Sequence, residues 1–114
     1  MTTLKDRVNR AMRRGRVFAA LCSERDYQES RANAAGTPEG EVRPHSVEEF
    51  VLYMESYLTE AREILSRTWT PDRSAPPAAL HTLRKVTALG VACMEQHGAP
   101  MREGFEDSGS EFRR

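Results

Sequence analysis

Glu49, Ser56, Glu60 and Glu63 recur at offsets of seven, eleven and fourteen residues. In a helix that spacing places all four along one flank. Glu60 and Glu63 would then be close enough to share a cation, although a solvated flank of glutamates is the ordinary arrangement on a helix surface. A second set of groups belongs to the segment HTLRK, where Thr82 and Lys85 share one side and Arg84 lies nearer the apolar edge. A lysine inside an apolar helix must reach back to water or meet an anion, either a carboxylate of the preceding helix or the phosphate of a ligand. Arg7, Arg10 and Arg14, with Arg13 beside them, form a third set. Such a basic stripe can hold phosphates or be a solvated face.

Other chemistries lack their residues. His45, His81, His97, Cys22 and Cys93 include no pair at zinc-ligand spacing on one helix face or in a knuckle. No glycine-rich phosphate loop, G-x-S-x-G turn or Cys/His dyad spacing is present, so nucleophilic catalysis and P-loop chemistry have no support and no catalytic residue is assigned. His97, next to Gly98, is expected to complement the negative end of a helix. The basic stripe lacks the interleaved aromatics of a single-strand binder and any helix-turn-helix signature, so sequence-specific DNA recognition is not expected. Seventeen Lys+Arg balance seventeen Asp+Glu, and any electrostatic steering must be local.

The elements that must position these groups are helices. Leu4, Val8, Ala11, Met12, Phe18, Leu21 and Cys22 give an irregular apolar pattern over 4–30, interrupted by Gly15 and ending in the polar stretch SERDYQES. Residues 31–45, with two Gly, two Pro and no period, read as a loop. Ser46 opens S-V-E-E, a capping box in which Ser46 and Glu49 satisfy each other's backbone amides. Phe50, Tyr53, Met54, Tyr57, Leu58, Ala61, Ile64 and Leu65 then predict an amphipathic helix over 47–68. Pro71, Pro76 and Pro77 end that segment, and a third helix over 77–97 stops at Gly98.

The third helix carries Leu80, Leu83, Val86, Gly90, Val91 and Met94 as its main apolar face, with Ala88, Leu89 and Ala92 on the remainder. A helix apolar nearly all round is buried on two sides. Gly90 costs about 1 kcal/mol relative to alanine in a helix interior, a cost explained by close approach of another helix, with the twofold axis of a dimer as the expected place. The fold class expected is an all-α bundle of three main helices paired as a hairpin over the last two, one domain over 1–100 with a loosely ordered tail over 101–114. A core from 114 residues is limited, so completion in a homodimer or higher homo-oligomer is expected. The two cysteines sit far apart in helical patterns and are expected as reduced thiols. Without a signal-peptide apolar stretch or eighteen consecutive apolar residues, a cytoplasmic protein with no membrane partner is expected.

Three segments taken in order, SERDYQESRA, HSVEEFVLYMESYLTEAREILSR and ALHTLRKVTALGVACMEQHGAP, resemble small phage and prophage proteins similar to the MazG-like all-α nucleoside triphosphate pyrophosphohydrolases. The resemblance covers roughly residues 23–100 and rests on spacing and helical pattern. It implies an oligomeric helical bundle with a nucleotide pocket between helices and, in active members, four or five carboxylates holding magnesium. Metal so held polarises phosphoryl groups and activates water. Here YLTEARE places Ser56 and Tyr57 where adjacent glutamates belong and keeps only Glu60 in register, while Thr82 and Lys85 stand where a Glu and an Asp belong. A lysine in that place repels the metal yet can neutralise a phosphate.

The expectation is therefore a phage-encoded protein that captures a nucleotide or nucleotide-derived signal without turning it over, as an anti-defence function would require. Lys85 and Arg84 are the candidate phosphate contacts, Tyr57 or Tyr53 the base-stacking surface, and Glu60 the retained acidic member, with neither a metal nor another cofactor. Two alternatives are an active magnesium-dependent pyrophosphohydrolase using Glu60, Glu63 and Glu49, and a host-protein inhibitor with no small-molecule ligand.

Overall fold

The computed structural model describes residues 2–34, 44–68 and 76–104. These contain three helices, α1 (Leu4–Ala34), α2 (Val47–Arg67) and α3 (Pro77–His97), and among the described residues no strand. The all-α class and the three-helix plan agree with the sequence reading. The interior of the predicted loop, residues 35–43, and most of the predicted tail, 105–114, lie outside the described residues.

Local chemistry sets the ends. At the start of α1, Thr3 and Asp6 cap reciprocally: the Asp6 amide donates to Thr3 Oγ1 at 3.1 Å and the Thr3 amide to Asp6 Oδ2 at 3.2 Å. The helix runs through Gly15 without a break and continues to Ala34, four residues beyond the boundary expected from sequence. No breaker occurs before Gly36, and the RANA segment contains good helix formers, so the chain there continues the helix rather than opening the loop. Helix α2 has the expected capping box, with the Glu49 amide donating to Ser46 Oγ at 3.1 Å and the Ser46 amide to Glu49 Oε1 at 2.8 Å. Pro77 opens α3, and Gly98 closes it with φ 115°, backbone that favours glycine, while its amide donates to the Met94 carbonyl at 2.8 Å.

The middle of the arrangement is α3. It packs against α2 on one side and against α1 on the other, whereas α1 and α2 do not pack directly on each other. The expectation of burial on two sides is met, with Val86, Ala88 and Ala92 among the residues expected there, but the main apolar face is not the buried one. Ala79, Thr82, Val86, Ala88 and Ala92 are buried, while Leu80, Leu83 and Met94, placed on the main apolar face by the sequence reading, are exposed. Small side chains take the contact positions because they let neighbouring helices approach, which displaces the long ones to the third side. Gly90 belongs to the same contact: a Cβ added there would lie 3.5 Å from Met54 Cε, so it faces α2 of its own chain and not a free surface on a twofold axis.

The core is small. Among the described residues only Phe50, Ala61, Ala79, Val86, Ala88 and Ala92 are buried hydrophobics, and no large side chain is fully enclosed. Cys22 and Cys93 are free, and no helix is long and apolar enough to cross a membrane among the described residues.

Candidate functional site

Two adjoining cavities open on the side of α3 that carries Lys85 and Leu89. The larger, about 590 Å³, is lined by His45, Phe50, Tyr53, Ser56, Tyr57, Glu60 and Leu89. The smaller, about 300 Å³, is lined by Glu24, Tyr27, Gln28, Arg31, Tyr57, Lys85 and Leu89. Tyr57 and Leu89 belong to both and form the ridge between them. The register explains the layout. Tyr53, Tyr57 and Glu60 succeed one another at helical spacing on α2, Lys85 and Leu89 do so on α3, and Tyr27 and Arg31 do so on α1.

The cations of the smaller cavity have aromatic partners. Lys85 Nζ lies 5.7 Å from the centroid of the Tyr57 ring, and among the described residues no carboxylate stands within ion-pair distance of it. The Arg31 guanidinium lies 5.9 Å from the Tyr27 ring centroid and donates from Nη1 to the Tyr27 hydroxyl at 3.1 Å. That hydrogen bond is the main cause that raises the Arg31 pKa further above its high ordinary value. Ammonium and guanidinium groups set over aromatic faces keep their charge available to an anion while the rings hold them in place.

The acidic group of the same cavity is already engaged. Glu24, only 6% exposed, accepts from Arg84 Nε at 2.9 Å. Arg84 Nη1 also lies 2.6 Å from His81 Nδ1. A guanidinium only donates, so Nδ1 is the acceptor and the His81 proton resides on Nε2.

At the far end of the larger cavity His45 ties the entry of α2 to the end of α3. Its amide donates to Gln96 Oε1 at 3.0 Å and its carbonyl accepts from His97 Nε2 at 2.7 Å. The His45 ring meets Phe50 and Tyr53 edge-on with centroids 5.5 and 5.3 Å apart. Its Nδ1 stands 3.7 Å from Glu49 Oε2. Glu49 has its pKa lowered, chiefly by the hydrogen bond from the Ser46 amide.

The structure therefore brings four of the five sequence-nominated residues together: Tyr53, Tyr57 and Glu60 at the larger cavity and Tyr57 with Lys85 at the smaller. Arg84 stands apart, in the groove of Val17, Ala20, Leu21, Leu80 and Leu83 on the other side of α3, with its guanidinium given to Glu24. Tyr27, Arg31, His45 and Leu89 were not nominated. The Tyr27–Arg31 pair could have been read from its i, i+4 spacing within SERDYQESRA; His45 and Leu89 carried no signal beyond their neighbours.

The magnesium implied by the family resemblance does not fit these residues. Among the described residues no three His, Cys, Asp or Glu side chains converge as a metal site. Among the described residues Glu60 is the one carboxylate that lines the larger cavity, and Glu49 is committed to the capping box. Thr82 returns its hydroxyl to the Ala78 carbonyl at 3.1 Å. Comparison of the chain with protein-family models, with curated proteins and with solved structures finds no match in any of the three.

Proposed function

We propose that this protein binds a nucleotide or nucleotide-derived small molecule in the double cavity around Tyr57 and does not hydrolyse it. The observation that carries this reading is the Lys85 ammonium, held over the Tyr57 ring at the cavity wall with no carboxylate within ion-pair distance among the described residues. A cavity of about 590 Å³ adjoining one of about 300 Å³ is in the size range that encloses small molecules. Lys85 and Arg31 are placed to contact phosphate oxygens, and Tyr57 and Tyr53 offer flat faces on which a base can stack. The donor set argues against turnover, because metal-assisted attack on a phosphoryl group needs several converging carboxylates and among the described residues Glu60 stands without them.

The test is a thermal-shift panel of nucleoside mono-, di- and triphosphates and cyclic nucleotides, with and without magnesium. A ligand at a hundredfold excess over its Kd stabilises the folded chain by about 2.7 kcal/mol. The expected result is a magnesium-independent rise in Tm with the ligand recovered intact, and about ten- to a hundredfold weaker binding in Lys85→Ala, as loss of a charge-assisted contact implies. A magnesium-dependent rise with the ligand consumed would restore hydrolysis; unchanged affinity in Lys85→Ala would remove this residue from the site.

A further inference from the structure

The first half of α1 is exposed on every side, from Thr2 to Ala20. Its residues are nevertheless sorted around the helix. Leu4, Val8, Ala11, Met12, Phe18 and Cys22 fall within an arc of about 120°, and the only other residues there are a glycine and an alanine. No charge interrupts this arc over its length of about 27 Å, from Leu4 to Cys22. Leu4 is 70% exposed, Met12 57% and Phe18 56%. Helix α1 faces α3 with Leu21, Glu24 and Arg25, which stand about a third of a turn from the arc, so packing of the chain on itself leaves the arc bare.

The charges are sorted in the same way. Six of the seventeen Lys+Arg lie between Leu4 and Ala20, against one of the seventeen Asp+Glu, in a chain of zero net charge. Lys5 and Arg16 border the arc along one edge, Arg7 and Arg14 border it along the other, and Arg10 and Arg13 lie behind. Among the described residues none of the six forms an ion pair with a carboxylate. A long cationic side chain at the edge of an apolar strip can lay its stem along that strip and set its charge in a polar layer above it.

We infer that the first half of α1 binds an anionic membrane surface, lying parallel to it with Leu4, Val8, Met12 and Phe18 among the acyl chains and the bordering cations against lipid phosphates. An apolar arc edged by Lys and Arg is the arrangement with which a helix sits in such an interface. The occupant follows from the two features together. A nucleic-acid backbone would meet the cations and leave four large apolar side chains in water. The same arc of a second copy would cover those side chains and set basic border against basic border. A lipid interface satisfies both the arc and its edges. The sequence expectation of no membrane partner weighed spanning segments alone. Among the described residues no helix is long and apolar enough to span, and a helix lying in the surface needs no span.

The experiment is flotation of the full chain with vesicles of phosphatidylcholine alone and of phosphatidylcholine mixed equally with phosphatidylglycerol. The chain is expected to float with the anionic vesicles, to bind the neutral ones about tenfold more weakly or worse, and to lose binding as salt is added. Phe18→Asp, Met12→Asp and the double variant R7Q/R14Q should each weaken anionic-vesicle binding about tenfold or more, whereas R62Q/R67Q on α2 should leave it within about twofold. All these positions are exposed, so circular dichroism should report unchanged helix content. A wild type that does not float with the anionic vesicles would overturn the inference. So would flotation that both aspartate variants retain, since charge alone would then carry it. Random-sequence duplex DNA bound more tightly than the vesicles, and lost in R7Q/R14Q but not in Phe18→Asp, would assign the face to nucleic acid instead. A dimer in sedimentation equilibrium that Phe18→Asp dissolves and that does not float would assign it to a second copy.

Discussion

The two sides of α3 are built on different physics. Toward α2 it presents Ala79, Val86 and Gly90 to Phe50, Met54 and Ala61, a contact made by apolar burial and close approach. Toward α1 it presents Arg84 and Glu95, which take opposite partners from consecutive residues: Glu24 accepts from Arg84 at 2.9 Å, and Arg25 donates to Glu95 from Nε at 3.0 Å and from Nη2 at 2.6 Å. Arg25 also donates to Gln28 at 2.9 Å and Glu29 at 3.1 Å, so its buried guanidinium is served on every side. Apolar burial is non-directional and supplies most of the free energy, whereas the charge pairs fix register, since a shift by one turn leaves the buried Glu24 and Arg25 without their partners on α3. The α2 side therefore holds the hairpin together, and the α1 side determines where Tyr27 and Arg31 stand relative to Lys85.

Three substitutions sharpen that contrast. Phe50→Ala removes the largest buried ring, 3% exposed, and should cost about 3–5 kcal/mol in urea unfolding, with little change between low and high salt. Arg25→Ala should cost about 2 kcal/mol, less than a fully buried pair because Glu95 is half exposed, and the loss should shrink as salt is added. Equal salt dependence in the two variants would erase the distinction between the sides. Ser46→Ala should cost about 1 kcal/mol through the lost helix cap.

The same cap gives a pH dependence with a definite sign. The Glu49 pKa is lowered in the folded chain, chiefly by the Ser46 amide, so its ionised form stabilises the fold at pH values above the ordinary glutamate pKa. That contribution is lost as the pH falls through the lowered value. The stability difference between wild type and Glu49→Gln should accordingly be constant near neutrality and close on acidification, as measured by urea titrations at successive pH values. A difference that grows on acidification would contradict the assignment.

How far the sequence could be read follows the same division. Helix limits were legible where a local rule acts: Ser46 and Glu49 announce α2, and Pro77 and Gly98 bracket α3. Period alone also located Tyr53, Tyr57 and Lys85 on faces that converge. The α1 side was not legible, because Glu24, Arg25, Arg84 and Glu95 have the composition of a solvated surface and their pairing spans sixty or seventy residues. For that reason Arg84 was nominated as a phosphate contact and Arg31 was not. Leu80, Leu83 and Met94 were misplaced for a related reason: hydrophobicity ranks leucine above alanine, yet contact geometry on α3 selects the smaller residue.

The most direct test of nucleotide capture is a titration of the isotopically labelled chain with the nucleotide that raises its Tm most, followed by amide chemical shifts. The shifts should saturate and centre on Tyr27, Arg31, Tyr53, Tyr57, Lys85 and Leu89, with the nucleotide unchanged at the end. Shifts centred instead on the exposed first half of α1, from Leu4 to Phe18, or on the Arg84 groove, would contradict the assignment of the Tyr57 cavity as the binding site.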